Sequence, residues 1–337
     1  MDFDLITLGR SSIDLYSLDL GAPFIDITKF AAYVGGSPLN IAVGAQRLGL
    51  KTALLTAVGQ DQVGDFILNF LHKEGVDTRY TPIKPGTRSS AVVLGIEQDR
   101  FPLVYYRDNA SDKQISIDDV LKLPWGKFTA LELSGTGLAV EPSRSAHFFA
   151  VEQARKHGTH VYLDLDFRAD QWHDPRAFGL TVRALLPNVD VAIGTEEEIN
   201  AAMLQHPADI VIRDQQISAP EIRGNIAENI EVLLKLVPVV VVKRGATGCV
   251  IHQRGQLPLS VPGFQVEVQN VLGAGDAFAG GLIYGRVKGF DWYTSARIGN
   301  ACGALVVTRH GCANFNPTWE EVQDLAERQG GLHAVCS

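Results

Sequence analysis

Two apolar rhythms alternate along most of the chain. Short runs rich in Val, Ile and Leu at 4–8, 52–58, 91–96, 103–106, 130–134, 160–164, 189–193 and 239–243 read as strands, and 250–251 adds a candidate hairpin strand. Between them, apolar residues three and four apart predict helices at 38–48, 62–74, 143–157, 175–185, 196–204, 221–236, 274–287 and 292–308. Apolar strands set between amphipathic helices predict an α/β fold, a three-layer α/β/α arrangement with a mostly parallel central sheet. Ligands of such sheets gather at the carboxyl ends of the strands.

Two segments break the alternation. Residues 11–33 and 88–107 are rich in Ile, Leu, Val, Tyr and Phe but lack a helical period, so they read as antiparallel strands. Together they predict a small β-sheet lid over the site, the alternative being a pair of long surface loops. Residues 1–337 otherwise show no linker and no repeat, as expected of one domain. Exposed lid strands invite pairing, so a homodimer through the lid is expected.

Composition narrows the function classes. Hydrophobic residues make up 46% and charged residues 20%, an ordinary globular balance. A net charge of −8 argues against a nucleic-acid binder, although a small anionic ligand needs only local positive groups. No apolar run approaches the roughly 20 residues of a membrane span, and the acidic opening residues do not resemble a secretory signal. Cys249, Cys302, Cys312 and Cys336 form no CxxC pair and read as free thiols of a cytoplasmic protein.

The segment Val271-Leu272-Gly273-Ala274-Gly275-Asp276 carries the most chemistry. Small residues leave the backbone N–H groups of Gly273, Ala274 and Gly275 open where a helix begins. Unpaired donors and the helix dipole make that point a seat for phosphate. Asp276 places a carboxylate beside the seat, as transfer of a phosphoryl group to an alcohol requires. A helix start is expected to keep this carboxylate ionised. The bland alternative is a Gly-rich turn with a first-turn Asp. No P-loop, Gly-x-Ser-x-Gly elbow or GxGxxG fingerprint is present.

Arg168 follows the strand ending at Asp164, on the expected ligand side. Its fork matches a carboxylate, which points to a sugar acid, or it forms an ion pair with Asp164 or Asp166. Arg107, at the end of the expected lid, either reaches the substrate or transferring phosphate or is a solvated lid residue.

The 270–278 loop resembles the second signature of the ribokinase/PfkB carbohydrate kinases, and Gly35-Gly36-Ser37-Pro38-Leu39-Asn40-Ile41-Ala42 resembles their first. Gly59-Gln60-Asp61 with Gly64, Glu74-Gly75-Val76-Asp77-Thr78, and Lys243-Arg244-Gly245-Ala246-Thr247-Gly248 resemble further blocks in family order, over nearly the whole chain. The segments 9–16, 101–107, 134–144 and 163–168 with Trp172 resemble the branch acting on keto-deoxy sugar acids. This resemblance implies a ribokinase-like fold and ATP-dependent phosphorylation of a terminal hydroxyl. The implied substrate is 5-dehydro-2-deoxygluconate, from myo-inositol breakdown. A 2-keto-3-deoxygluconate kinase and a non-catalytic sugar-acid sensor are the alternatives.

The resemblance also implies roles by position. Asp14, Gly35, Gly36 and Asn40 would face the sugar, and Lys243, Gly245, Gly248 and Asn300 the nucleotide. Glu198 would hold Mg2+ through water, in a motif where Thr195 replaces the usual Asn. Asn270 replaces an Asp that helps relatives bind a monovalent cation, which leaves K+ activation open.

Overall fold

A computed structural model describes residues 1–97, 100–213 and 217–333. Its strands are β1 (Phe3–Leu8), β2 (Ser12–Ser17), β3 (Phe30–Gly35), β4 (Thr52–Leu55), β5 (Ser90–Leu94), β6 (Leu103–Tyr106), β7 (Phe128–Ser134), β8 (His160–Asp164), β9 (Val191–Thr195), β10 (Val239–Lys243), β11 (Cys249–Gln253) and β12 (Leu259–Val261), apart from a few two-residue ladders. The main sheet runs β12-β11-β10-β9-β8-β7-β1-β4. It is parallel from β10 to β4 and antiparallel across β10, β11 and β12.

The valines of β10 show how both faces are covered. Val239 and Val241 pack on one side with α7 (Ala274–Val287) and α8 (Trp292–Val307). Val240 and Val242 pack on the other with α3 (Ser143–His157), α4 (Arg176–Leu185), α5 (Glu196–Ala202) and α6 (Ile226–Leu236). A strand buried on both faces reads as an unbroken apolar run, which is how a parallel sheet announces itself. Helix α1 (Ser37–Arg47) joins the first of these layers through Ile41 and Ala45, and α2 (Gln62–Glu74) packs outside it through Ile67 and Leu71.

The segments predicted as a lid form a four-stranded sheet, β3-β2-β5-β6. Its outer pairs are antiparallel as expected, but β2 and β5 run parallel. The two segments join side by side, each already a hairpin-like pair, and that junction sets the parallel direction.

Other boundaries moved for local reasons. The run 52–58 splits after Leu55, and Val58–Gly59 pairs with Ile83–Lys84 instead. The predicted helix at 221–236 starts only at Ile226, capped by Asn225, while Glu221–Ile222 pairs with Ile210–Val211. Helix α9 (Trp319–Arg328) was not anticipated, although Thr318 and Glu321 form a capping box at its start. Cys249, Cys302 and Cys312 are free and buried, and Cys336 lies outside the described residues. Among the described residues, no helix is long and apolar enough to cross a membrane.

Candidate active site

The carboxyl ends of adjacent parallel strands bring the charged residues together. β8 ends at Asp164 and β10 at Lys243, and Thr195 at the end of β9 pairs with Lys243 in the ladder. Beyond these ends opens a cavity of about 590 Å³, lined by Asp164, Asp166, Arg168, Glu198, Lys243, Gly273, Gly275 and Asp276 among others.

Gly273 caps α7 in the left-handed region at φ +78°, and a Cβ there would overlap Cys312 Sγ. Both conformation and space therefore demand glycine. A Cβ on Gly275 would stand 3.0 Å from Lys243 Nζ, so the ammonium lies against the start of the helix. Lys243 Nζ is 3.0 Å from Asp164 Oδ1 and 3.6 Å from Glu198 Oε2, and Ser37 Oγ donates to Asp164 Oδ2 at 3.2 Å. Asp164 and Glu198 hold the Lys243 pKa above its usual value despite burial. Burial raises the Asp164 pKa, and Lys243 opposes that rise.

Asp276 is half-buried at the cavity wall, where Asn40 Nδ2 donates to its Oδ2 at 2.6 Å. Burial raises its pKa, Asp166 adds to the rise, and Asn40, Lys243 and Arg168 pull the other way. The helix start thus does not by itself set the Asp276 pKa, which lies above the usual carboxylate value. Burial and a like charge make it a better base than a free carboxylate. Asn40 Oδ1 is buried without a partner, an acceptor facing no protein donor. Asp14 is buried too, its pKa raised by burial against the pull of Arg10, and Ser12 Oγ donates to it at 2.6 Å. A Cβ on Gly35 would overlap the Asp14 carboxylate, and one on Gly36, at φ +108°, would overlap the Arg10 carbonyl. These glycines thus clear room for the protein's own side chain and backbone.

Arg168 Nη2 lies 3.0 Å from Asp166 Oδ1, and its Nη1 is 3.7 Å from Glu198 Oε1. The ion-pair alternative is thus present, and the guanidinium still lines the cavity. Arg107 is not the solvated lid residue of the alternative reading: it is buried, paired with Asp112, and donates to Gln171 Oε1 at 3.0 Å, and it does not line this cavity. Asp112 lies buried five residues on and pairs with the fork.

Glu198 accepts from the Thr195 N–H at 2.8 Å, and Thr195 Oγ1 accepts from the Glu198 N–H, a full capping box. The usual Asn is thus replaced by a residue with a capping task. Asn270 donates to the Arg309 carbonyl at 2.6 Å and accepts from the Leu272 N–H at 2.9 Å, pinning the approach to Gly273. Asn300 donates to the carbonyls of Val261 and Pro262, and a Cβ on Gly248 would overlap that same Val261 carbonyl. Gly245, at φ +56°, has open space around it, and neither it, Gly248 nor Asn300 borders the cavity.

The donor set suits a divalent ion held through water. The described lining counts six carboxylates, Asp164, Asp166, Glu197, Glu198, Glu221 and Asp276, against three cations, Arg168, Arg213 and Lys243. Among the described residues no three ligands converge to chelate a metal directly. Mg2+ keeps most of its waters and takes few carboxylates, so the residues fit it.

The sequence reading missed the Lys243–Asp164 pair and the Asn40–Asp276 contact. An Asp and a Lys each ending an apolar run were a usable signal for the first. The second joins residues 236 apart in sequence, and only the fold brings them together.

The sequence profile of the pfkB family carbohydrate kinases matches residues 2–319. The chain is 32% identical over 329 residues to a 5-dehydro-2-deoxygluconokinase of Bacillus anthracis (strain CDC 684 / NRRL 3495), covering 96% of this chain and 95% of the relative. It is 31% identical over 332 residues to one of Geobacillus thermodenitrificans (strain NG80-2), covering 96% and 93%. A fructokinase from Vibrio cholerae O395, solved with fructose, ADP and calcium ion bound, superposes with a TM-score of 0.79 at 25% identity, over 96% of this chain and 99% of that one. With this match over nearly its whole length, the chain belongs to the pfkB family of carbohydrate kinases.

Proposed function

We propose that the enzyme moves the γ-phosphoryl group of ATP to the terminal hydroxyl of a keto-deoxy sugar acid, 5-dehydro-2-deoxygluconate before 2-keto-3-deoxygluconate. The observation that carries this reading is Asp276, held by Asn40 at the start of α7 with Lys243 beside the same helix start. Asp276 takes the hydroxyl proton as the bond to phosphorus forms. The N–H groups of Gly273, Ala274 and Gly275 and the Lys243 ammonium face the charge on the transferred group. Glu198 and Asp164 are the residues to hold Mg2+ through water, and the ion supplies charge neutralisation between the phosphates. Asp14 and the free Asn40 Oδ1 accept from sugar hydroxyls. Lys243, Gly245, Gly248 and Asn300 belong to the nucleotide side, Asn300 by supporting the 261–263 loop.

Relatives at 31% and 32% identity bearing the 5-dehydro-2-deoxygluconokinase name support the choice of acid. Arg168, open to the cavity, supplies the carboxylate partner that a neutral sugar does not need. A coupled ADP-release assay against both keto-deoxy acids, ribose and fructose tests this. The 5-dehydro acid is expected to give the highest kcat/KM, and preference for ribose or fructose contradicts the reading. Release of ADP only with added acid separates a kinase from a sensor. Arg168→Ala is expected to raise KM for the acid about 10- to 100-fold, the worth of a charge-assisted hydrogen bond. An unchanged KM removes Arg168 from the carboxylate site.

We also propose that the four-stranded sheet is a lid and that two copies pair through it in a cytoplasmic homodimer. Leu18, Leu20, Phe30, Val104 and Tyr106 are exposed on its strands and adjoining turn. Light scattering at micromolar concentration is expected to give twice the chain mass, and a monomer contradicts the pairing.

A further inference from the structure

Two buried or half-buried arginines near the cleft are each neutralised by a carboxylate, and a third is not. Arg107 pairs with Asp112 and Arg168 with Asp166. Arg10, on the turn leaving β1, is only 8% exposed, yet among the described residues it has no carboxylate within ion-pair distance. Its Nη1 donates to Ser12 Oγ at 3.2 Å, and Ser12 in turn donates to Asp14 Oδ1 at 2.6 Å. Asp14 therefore reaches Arg10 only through an intervening hydroxyl. The guanidinium lies over the Tyr105 ring, 5.5 Å from its centroid. Its Nε is buried with no acceptor.

A buried cation with an unused N–H is costly until an anion completes it. Burial works against the charge on Arg10, and Tyr105, Asp14, Asp166 and Asp112 outweigh it, so its pKa is raised and it stays charged. Tyr105 lies in the field of both Arg168 and Arg10. Ser12 ties Arg10 to Asp14, so a sugar chain whose terminal hydroxyl meets Asp276 and whose middle meets Asp14 has Arg10 as the next cation along that bonded chain.

We propose that Arg10 is a specificity-determining residue that receives the carboxylate end of the substrate, with Arg168 and Tyr105 beside it. This rests on the sugar-acid reading above and adds the residue that makes the enzyme select an acid over the matching neutral sugar. The unfilled Nε gives the guanidinium a donor for one carboxylate oxygen. A neutral alcohol at that carbon offers the guanidinium a weaker acceptor than a carboxylate does, which favours the acid.

The test compares kcat/KM for the keto-deoxy acid with that for its neutral analogue bearing CH2OH in place of the carboxylate, in the wild type, Arg10→Met and Arg10→Lys. Arg10→Met is expected to lower the acid-to-neutral ratio about 10- to 100-fold, chiefly through KM for the acid. Arg10→Lys is expected to recover only part, because a point charge lacks the fork. Should the Met variant fail to fold, the drop in the Lys variant is the readout. A wild type that prefers the acid with a ratio unchanged in the folded variants overturns the Arg10 assignment alone. A wild type that prefers the neutral analogue overturns the sugar-acid reading and this assignment with it.

Discussion

Asp276→Asn is expected to lower kcat by about 10²- to 10⁴-fold, the span for loss of a positioned general base. The substitution is nearly isosteric, and the new amide can still accept from Asn40 Nδ2 through its oxygen, so KM for both substrates should move little. Stopped-time ADP release under saturation measures the loss. The pH profile provides a second check. A protonated Asp276 cannot accept the hydroxyl proton, so activity falls as pH drops through its pKa. Because burial and Asp166 raise that pKa, the acid limb of kcat/KM is expected above the usual carboxylate range and should vanish in the Asn variant. Near-normal turnover in Asp276→Asn contradicts the assignment of the base.

Lys243→Met is expected to destabilise the fold by about 3–5 kcal/mol, the cost of leaving buried carboxylates without their cation. The Lys243 side chain is 11% exposed and those of Asp164 and Glu198 are 2% and 9% exposed, so solvent screens the contacts little. Urea unfolding measures the change. The direction with pH follows from Asp164, whose pKa is already raised in the folded state and rises further without Lys243. Such a group contributes stability when protonated and loses it as pH rises through its folded pKa. The defect of Lys243→Met should therefore shrink at pH 5 and grow at pH 8. Adding Asp164→Asn should recover part of the loss. A variant as stable as the wild type at pH 8 contradicts the ion-pair account.

The sheet and its order of elements were legible because every parallel strand buries both faces and so reads as an uninterrupted apolar run, as Val239–Val242 does. The helix start at Ala274 was legible for a different reason, small residues standing just ahead of a helical run, and the structure adds that Gly273 is a left-handed cap against Cys312. What the sequence did not reveal depends on residues meeting across the fold. Arg107 looked free because Asp112 could not be seen folding back onto it. The rise in the Asp276 pKa was not legible because burial and the field of Asp166 are tertiary. Glu198 carried the reading of a metal-side acid, and the structure adds a capping bond to the Thr195 N–H while leaving the carboxylate at the cavity wall. Arg10 stood in the 9–16 block of the resemblance without a role of its own, since its orphaned Nε depends on the placement of Ser12, Asp14 and Tyr105.

The most direct measurement is a crystal structure with a non-hydrolysable ATP analogue, Mg2+ and the keto-deoxy acid. The outermost phosphate should lie within hydrogen-bond reach of the Gly273–Gly275 backbone, with the acid's terminal hydroxyl against Asp276. A triphosphate tail seated away from the start of α7 would contradict the account.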